Sequence, residues 1–392
     1  MLPNEFINIL SESAGEERAA GVIAALDTEP EVSVRVNPFK MTLEALREHF
    51  SNDAGDPVPW APGEAFYLKS RPQFTLDPLF HAGAYYVQEA SSMYVGKLVD
   101  DIFRLSGSNG PLRVLDLCAA PGGKTTQLIS RLMSPFGSPG RGNRLVANEV
   151  VPSRVSVLAE NVAKWGCDGV VVTNSDPSHF AGESYDIIVV DAPCSGEGMF
   201  RKDDKARDSW SVNNVQLCAA RQKRILSDIW PCLEPGGYMI YSTCTFNHFE
   251  DEDIVGWLSS ESGAECIEMR HFYPGEDRGE GFFASLLHKP EAVSRPFGGR
   301  RASGKGLRVY QSQFPLADEA LSVNLPPDKY PRVEVSLSDA LKFLSRETLV
   351  LRDSPQGHVL ITYKGLGLGF VKNLGNRANN LHPMPRRIRQ RV

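Results

Sequence analysis

Arg113-Val-Leu-Asp-Leu-Cys-Ala-Ala-Pro-Gly-Gly-Lys-Thr125 reads as a buried strand, a loop of small residues and the start of a helix. The apolar run ends at Leu117, and helical patterning runs from about Lys124 to Arg131. Small side chains at Cys118, Ala119, Ala120, Pro121, Gly122 and Gly123 let a ligand approach the backbone closely. The helix start behind them offers free N–H groups and a partial positive charge. Gly123-Lys124-Thr125 resembles the end of a phosphate-binding loop, but that motif needs a glycine where this chain has Cys118. The G-x-G-x-x-G dinucleotide pattern is absent as well. A cofactor with a carboxylate and an adenosine, but no phosphates, suits such a loop.

Outward from this loop, strands and helices alternate. Strands are expected at 144–148, 169–173, 185–190 and 237–243, with helices at 153–165, 212–232 and 250–259 and closing strands near 265–269 and 281–287. Alternation of this kind predicts an α/β class with a mostly parallel, doubly wound sheet. Glu149 falls at the end of the second strand, where an acid chelates ribose hydroxyls, and Asp176 falls after the third, within reach of an adenine edge. Either acid alone is more often a cap or a surface group. Two at successive strand ends favour a ligand, and S-adenosylmethionine is the expected cofactor.

The chain divides into 1–78, a small α/β unit; 79–292, the doubly wound unit; 293–320, a basic Gly/Arg/Ser-rich linker; and 321–392, a small mixed or mainly β domain. Its 392 residues exceed one compact core. No stretch approaches the ~20 apolar residues that span a bilayer, and Met1-Leu2-Pro3-Asn4-Glu5 does not read as a secretion signal. Seven cysteines without framework or C-x-x-C spacing suit a reducing cytoplasm and argue against a zinc site, so no metal and no membrane is expected. Net charge is -6, yet Lys364, Lys372, Arg377, Arg386, Arg387, Arg389 and Arg391 fall in a terminal stretch free of Asp and Glu. A second basic stretch holds Arg295, Arg300, Arg301, Lys305 and Arg308. Either can neutralise phosphates or be a solvated surface.

Two cysteines carry the chemistry. Cys194 sits in Asp191-Ala-Pro-Cys-Ser-Gly196 and Cys244 in Ser242-Thr-Cys-Thr245, each following a strand end. A buried, inert cysteine is the ordinary case, and Cys167, Cys218, Cys232 and Cys266 read that way. Methyl donors rarely need a thiol, because oxygen and nitrogen attack the methyl group directly. Carbon-5 of a pyrimidine cannot do so until a thiolate adds to carbon-6 and turns the ring into an enamine. One thiol would then attack and the other assist release; spacing alone does not say which. Asp191 is placed to hydrogen-bond or protonate the ring nitrogen. Lys124 and Lys202 are candidates for lowering a thiol pKa or holding a phosphate, or are simply solvated.

Asp116-Leu-Cys-Ala-Ala-Pro-Gly-Gly-Lys124, Asp191-Ala-Pro-Cys-Ser-Gly196 and Ser242-Thr-Cys-Thr245 resemble the motifs of the RNA 5-methylcytosine methyltransferases of the Sun and nucleolar-protein (RsmF-like) type. The resemblance extends to Tyr86-Val-Gln-Glu-Ala-Ser-Ser92, to Arg35-Val-Asn-Pro38 and to Gly281-Phe-Phe283. It implies a Rossmann-like methyltransferase sheet, attack by Cys244, release by Cys194, and an S-adenosylmethionine site lined by residues 118–124, Glu149, Asp176 and Asp191. Gly367-Leu-Gly-Phe-Val-Lys372, with residues 373–380, is similar to the PUA-like RNA-binding tail of bacterial ribosomal-RNA members. By the same resemblance Arg35, Lys202, Lys372 and Arg377 are expected RNA contacts, and the partner is 16S rRNA or the small subunit, bound by a cytoplasmic monomer. The rival expectations are transfer RNA as substrate, or a silent rRNA-binding assembly factor.

Overall fold

The computed structural model describes residues 2–107, 110–133, 142–291, 297, 306–351 and 353–390. Three sheets succeed one another along the chain. The first holds β1 (Val32–Val36), β2 (Ala54–Pro57), β3 (Ala65–Leu68) and β4 (Tyr85–Val87), in the order β2-β3-β1-β4. The second holds β5 (Arg113–Asp116), β6 (Arg144–Asn148), β7 (Val170–Thr173), β8 (Tyr185–Asp191), β9 (Leu233–Thr243), β10 (Glu265–Phe272) and β11 (Phe282–His288). The third holds β12 (Arg332–Glu334), β13 (Gly357–Tyr363), β14 (Leu366–Asn373) and β15 (Ala378–Asn380), paired in chain order.

The seven-stranded sheet runs β10-β11-β9-β8-β5-β6-β7. Strands β5 to β9 pair in parallel; β11 and β10 are antiparallel. Successive side chains face opposite layers, as the pleat requires. Val114 packs with the helices Tyr94–Ser106, Gly123–Leu132 and Pro152–Trp165, whereas Leu115 packs with Val212–Ile229 and Glu252–Ser262. Both faces are thus covered, and the strands are apolar on both. The winding reverses between β5 and β8, and ligands bind in such sheets outside the carboxyl ends at the reversal.

Strand β4 pairs with β1 through Val34–Val87, so the N-terminal unit continues past the expected boundary at residue 78. The expected linker differs too. Among its described residues, Tyr310 N–H donates to Val172 O (2.8 Å), Val309 bridges Thr173, and Pro315–Leu321 is helical. Residues 308–310 therefore edge the seven-stranded sheet, and the helix Pro315–Leu321 packs against β14. Arg295, Arg300, Arg301 and Lys305 lie outside the described residues, as does Arg391.

Arg35 corrects an expectation. It lies on the interior strand β1 and is fully buried. Its guanidinium donates to Gln88 Oε1 (2.8 Å), Gly123 O (3.1 Å) and Thr126 Oγ1 (2.6 Å) and stacks 4.7 Å from the Trp165 ring. Burial pushes its pKa down to about 9. A side chain so enclosed cannot meet a phosphate; it ties the N-terminal sheet to the helix behind the glycine loop. Arg386 likewise pairs with Asp318 (2.7 Å) and Glu160 (3.5 Å) instead of facing solvent. Lys372 and Arg377 are exposed on the third sheet. Among the described residues no helix is long and apolar enough to cross a membrane.

Candidate active site

A cavity of about 530 Å³ opens at the carboxyl ends of β5 and β8. Its walls include Cys118 to Pro121, Gly123 and Lys124 from the loop after β5, Asp191 from β8 and Cys244 after β9. Gln88 and Tyr86 of the N-terminal unit, with Lys202 and Phe282, complete it. Such a volume is in the range of small-molecule sites. The loop is narrow where it turns: Gly122 has φ +113°, and a Cβ there would come within 3.3 Å of Asn161. Asn161 Nδ2–H and Arg154 Nη2–H donate to the carbonyls of Pro121 and Ala120 (2.8 and 2.6 Å), fixing the loop from the following helix.

Thr125 Oγ1–H donates to Asp116 Oδ2 (2.6 Å), while the buried Asp116 Oδ1 has no partner among the described residues. Burial pushes Asp116 up to about 7. Lys124 Nζ lies 2.9 Å from Asp191 Oδ2 and 4.9 Å from the Phe282 ring. Burial opposes its charge, but Asp191 and then Cys244 outweigh that, and its pKa is raised. Ser242 Oγ–H donates to Asp191 Oδ1 (2.8 Å), so the carboxylate is held from both sides.

The two sulfurs meet. Cys194 Sγ is 3.2 Å from Cys244 Sγ, and the Cys244 N–H points at Cys194 Sγ from 3.4 Å. The hydrogen bond to Cys244, with burial next, pushes the Cys194 thiol well above its usual range. Either sulfur can donate to the other across this contact. Cys244, not Cys194, lines the cavity.

The other residues expected at this site lie at or behind the cavity wall, except Asp176. Glu149 is buried at the end of β6, accepts the Val151 N–H (2.8 Å) and lies 3.4 Å from Arg154, which lines the cavity. Asp176 caps a short helical turn by accepting from Ser178 N–H (3.0 Å) and Oγ–H (2.7 Å), and it is not part of the cavity wall. Lys202 is 28% exposed at the cavity and 3.4 Å from Glu280. Beneath the cysteines lie Glu197, Asn247 and Glu250, all buried, which motif reading missed. Their signal was available: acids and an amide adjoining both cysteine motifs. Asp251, Glu252 and His271 also cluster: His271 Nε2 lies 2.8 Å from Glu252 Oε1, and Asp251 accepts from Thr243 Oγ1–H (2.5 Å).

A doubly wound sheet, a glycine-rich loop at its reversal and paired thiols beside it define an α/β protein with a thiol site at its ligand-binding edge. Residues 105–288 match the 16S rRNA methyltransferase RsmB/F family, residues 2–90 the N-terminal domain of 16S rRNA methyltransferase RsmF, and residues 330–388 the methyltransferase RsmF PUA domain. The ribosomal RNA small subunit methyltransferase F of Enterobacter sp. (strain 638) is 34% identical, over 97% of this chain and 95% of its own length. That of Cronobacter sakazakii is 35% identical over 74% of this chain, and the matched stretch spans 64% of the relative. The chain belongs to the RsmB/F family of 16S rRNA methyltransferases. Among solved structures, a methyltransferase homolog protein from Pyrococcus horikoshii superposes with a TM-score of 0.59 at 25% identity, over 74% of this chain and all of the other. NSun6 from Pyrococcus horikoshii, solved with SFG, has a TM-score of 0.61 at 19% identity, over 73% of this chain and 98% of the other, and shares the fold.

Proposed function

We propose that the protein methylates carbon-5 of a cytosine in 16S rRNA through a transient bond between Cys244 and the base. The observation that carries this reading is the 3.2 Å approach of two sulfurs beside the glycine loop. S-adenosylmethionine is the cofactor, and it supplies a methyl group on a sulfonium centre. The cavity suits it: the loop that walls it has no room for bulk, and Lys124, Arg154 and Asp191 face it. Behind that wall, Asp116 Oδ1 is a buried acceptor with no partner among the described residues, and Glu149 follows β6, the strand end that meets ribose in such sheets.

Cys244 is the attacking sulfur in this reading, because it and not Cys194 lines the cavity. After losing its proton to solvent, its sulfur adds to carbon-6, and the electron pair of the 5,6 double bond shifts so that carbon-5 would take the methyl group as the S–CH3 bond breaks, the donor leaving as a neutral thioether. Lys124, paired with Asp191, faces the charge that develops on the ring. Loss of the carbon-5 proton to a base then re-forms the double bond and expels the Cys244 sulfur, with the Cys194 S–H as the nearest donor to it. The base has to leave its helix to lie in the cavity. Lys202, beside the cavity, and Lys372 and Arg377, exposed on the PUA domain, are the RNA contacts in this reading, and the protein acts as a cytoplasmic monomer. Labelled S-adenosylmethionine and 16S rRNA, followed by bisulfite sequencing, test it. A single protected cytosine is expected; label on a nitrogen or on ribose would contradict it.

A further inference from the structure

The two cysteine loops hold one another through acids neither of which touches the cavity. Glu197, three residues after Cys194, accepts the N–H of Phe246, two residues after Cys244 (2.8 Å). Glu250, six residues after Cys244, accepts the N–H of Ser195, next to Cys194 (3.0 Å). Each loop thus contributes a carboxylate that grips the backbone of the other. Asn247 Nδ2 joins the two acids, lying 3.0 Å from Glu197 Oε1 and 3.0 Å from Glu250 Oε1, while its Oδ1 accepts the Glu250 N–H (3.0 Å). Trp210 and Gln222 supply one further donor to each carboxylate (3.0 and 2.8 Å).

Buried acids are costly, and apolar residues of similar volume often serve stability as well or better. Glu197 is 1% exposed and Glu250 is fully buried, which makes their placement a matter of geometry rather than of stability. We propose that Glu197 and Glu250, bridged by Asn247, are positioning residues that form a reciprocal clasp setting the spacing of the Cys194 and Cys244 sulfurs. The clasp is directional. Glu250 steadies the loop of Cys194 and so serves release; Glu197 steadies the loop of Cys244 and so serves attack. Gly198 N–H donates to Cys244 O (2.9 Å), a third tie between the loops.

This inference rests on the proposed roles of the two cysteines. It is tested by following the denaturant-resistant protein–RNA complex and methyl incorporation together, with the full chain, S-adenosylmethionine and a 16S rRNA transcript. Glu250→Gln places an amide NH2 against donors at constant size, and should raise the trapped fraction about tenfold or more over the parent protein. Glu197→Gln should lower both adduct and methyl incorporation by about tenfold. Asn247→Ser, which shortens the bridge and keeps both acids, should shift the partition in the Glu250→Gln direction by about threefold. A purely structural role lowers both readouts in proportion to the folded fraction, which thermal unfolding measures. Equal losses in both glutamine variants, or no change in either, would overturn the clasp. Cys194→Ala run alongside separates the two ideas: if it traps RNA and Glu250→Gln does not, the clasp alone fails. If Cys194→Ala traps nothing, the assigned roles fall and the clasp falls with them.

Discussion

Lys124 Nζ lies 2.9 Å from Asp191 Oδ2, joining the end of the glycine loop to the carboxyl end of β8. The pair spans the point where the sheet reverses its winding. Lys124 is mostly enclosed, with 12% of its side chain exposed, so its charge acts at reduced screening on whatever occupies the cavity. Lys124→Met should therefore lower the methylation rate constant by roughly 10²-fold, the scale of losing one preorganised electrostatic group. Rapid-quench methyl transfer at saturating RNA checks this, and an unchanged rate would remove Lys124 from the chemistry.

Arg35 and the exposed cations separate by salt dependence. Arg35→Met breaks three hydrogen bonds to Gln88, Gly123 and Thr126 and should lower stability by roughly 3 kcal/mol, seen as a lower Tm. The slope of log Kd for RNA against log salt should stay as it was, since no phosphate is lost. Lys372→Ala and Arg377→Ala should each reduce that slope by about 0.7 to 1 while leaving Tm in place. An Arg35 variant that flattened the slope would restore it as an RNA contact.

Much of this molecule was legible in its residues. The strands at 113–116, 144–148 and 185–191 follow their apolar runs, and both cysteine motifs sit at strand ends, because a doubly buried sheet leaves a continuous apolar signature. What escaped was glycine-dependent or tertiary. Strand β14 carries Gly367 and Gly369, which weaken any strand pattern, yet a Cβ at Gly367 would come 2.1 Å from Ala320 O, so the helix Pro315–Leu321 packs there only against glycine. The helix Glu16–Ala25 hides behind Gly15 and Gly21. Arg35 misled because a basic residue reads as a surface group until the strand carrying it proves interior. Glu197 and Glu250 adjoin the cysteine motifs in sequence, but only the approach of two distant loops gives them their partners.

A close approach of backbones offers a steric test. A Cβ at Gly198 would meet Gly281 O at 2.6 Å and Cys244 O at 3.1 Å. Gly198→Ala must displace the Cys194 loop from Gly281 and crowd it against Cys244, at a cost of roughly 1–3 kcal/mol. Methyl transfer should fall by more than about tenfold at temperatures where the variant remains folded. Full activity in a folded Gly198→Ala protein would mean the loop spacing is not critical.

The pH dependence of stability has a definite sign. Burial pushes Glu197 up to about 7, so between about pH 5 and about 7 the folded protein keeps a proton that the unfolded chain has lost. Stability from this group is present below the unfolded carboxyl pKa and is lost as pH rises through the folded one, at up to ~1.4 kcal/mol per pH unit. His81 and His382, pushed down to about 4 by burial, work in the opposite direction below their unfolded pKa. The difference between parent and Glu197→Gln isolates the acid. Denaturant unfolding across this window should show the variant gaining on the parent as pH rises; a constant difference would mean that Glu197 does not titrate there.

Mixing S-adenosylmethionine and a 16S rRNA transcript with Cys194→Ala and with Cys244→Ala, then resolving the products by denaturing gel, tests the central claim most directly. Cys194→Ala is predicted to run as a protein–RNA complex carrying the transferred methyl group, and Cys244→Ala to form neither complex nor methylated RNA. A complex with Cys244→Ala, or methylation surviving in that variant, would contradict the account.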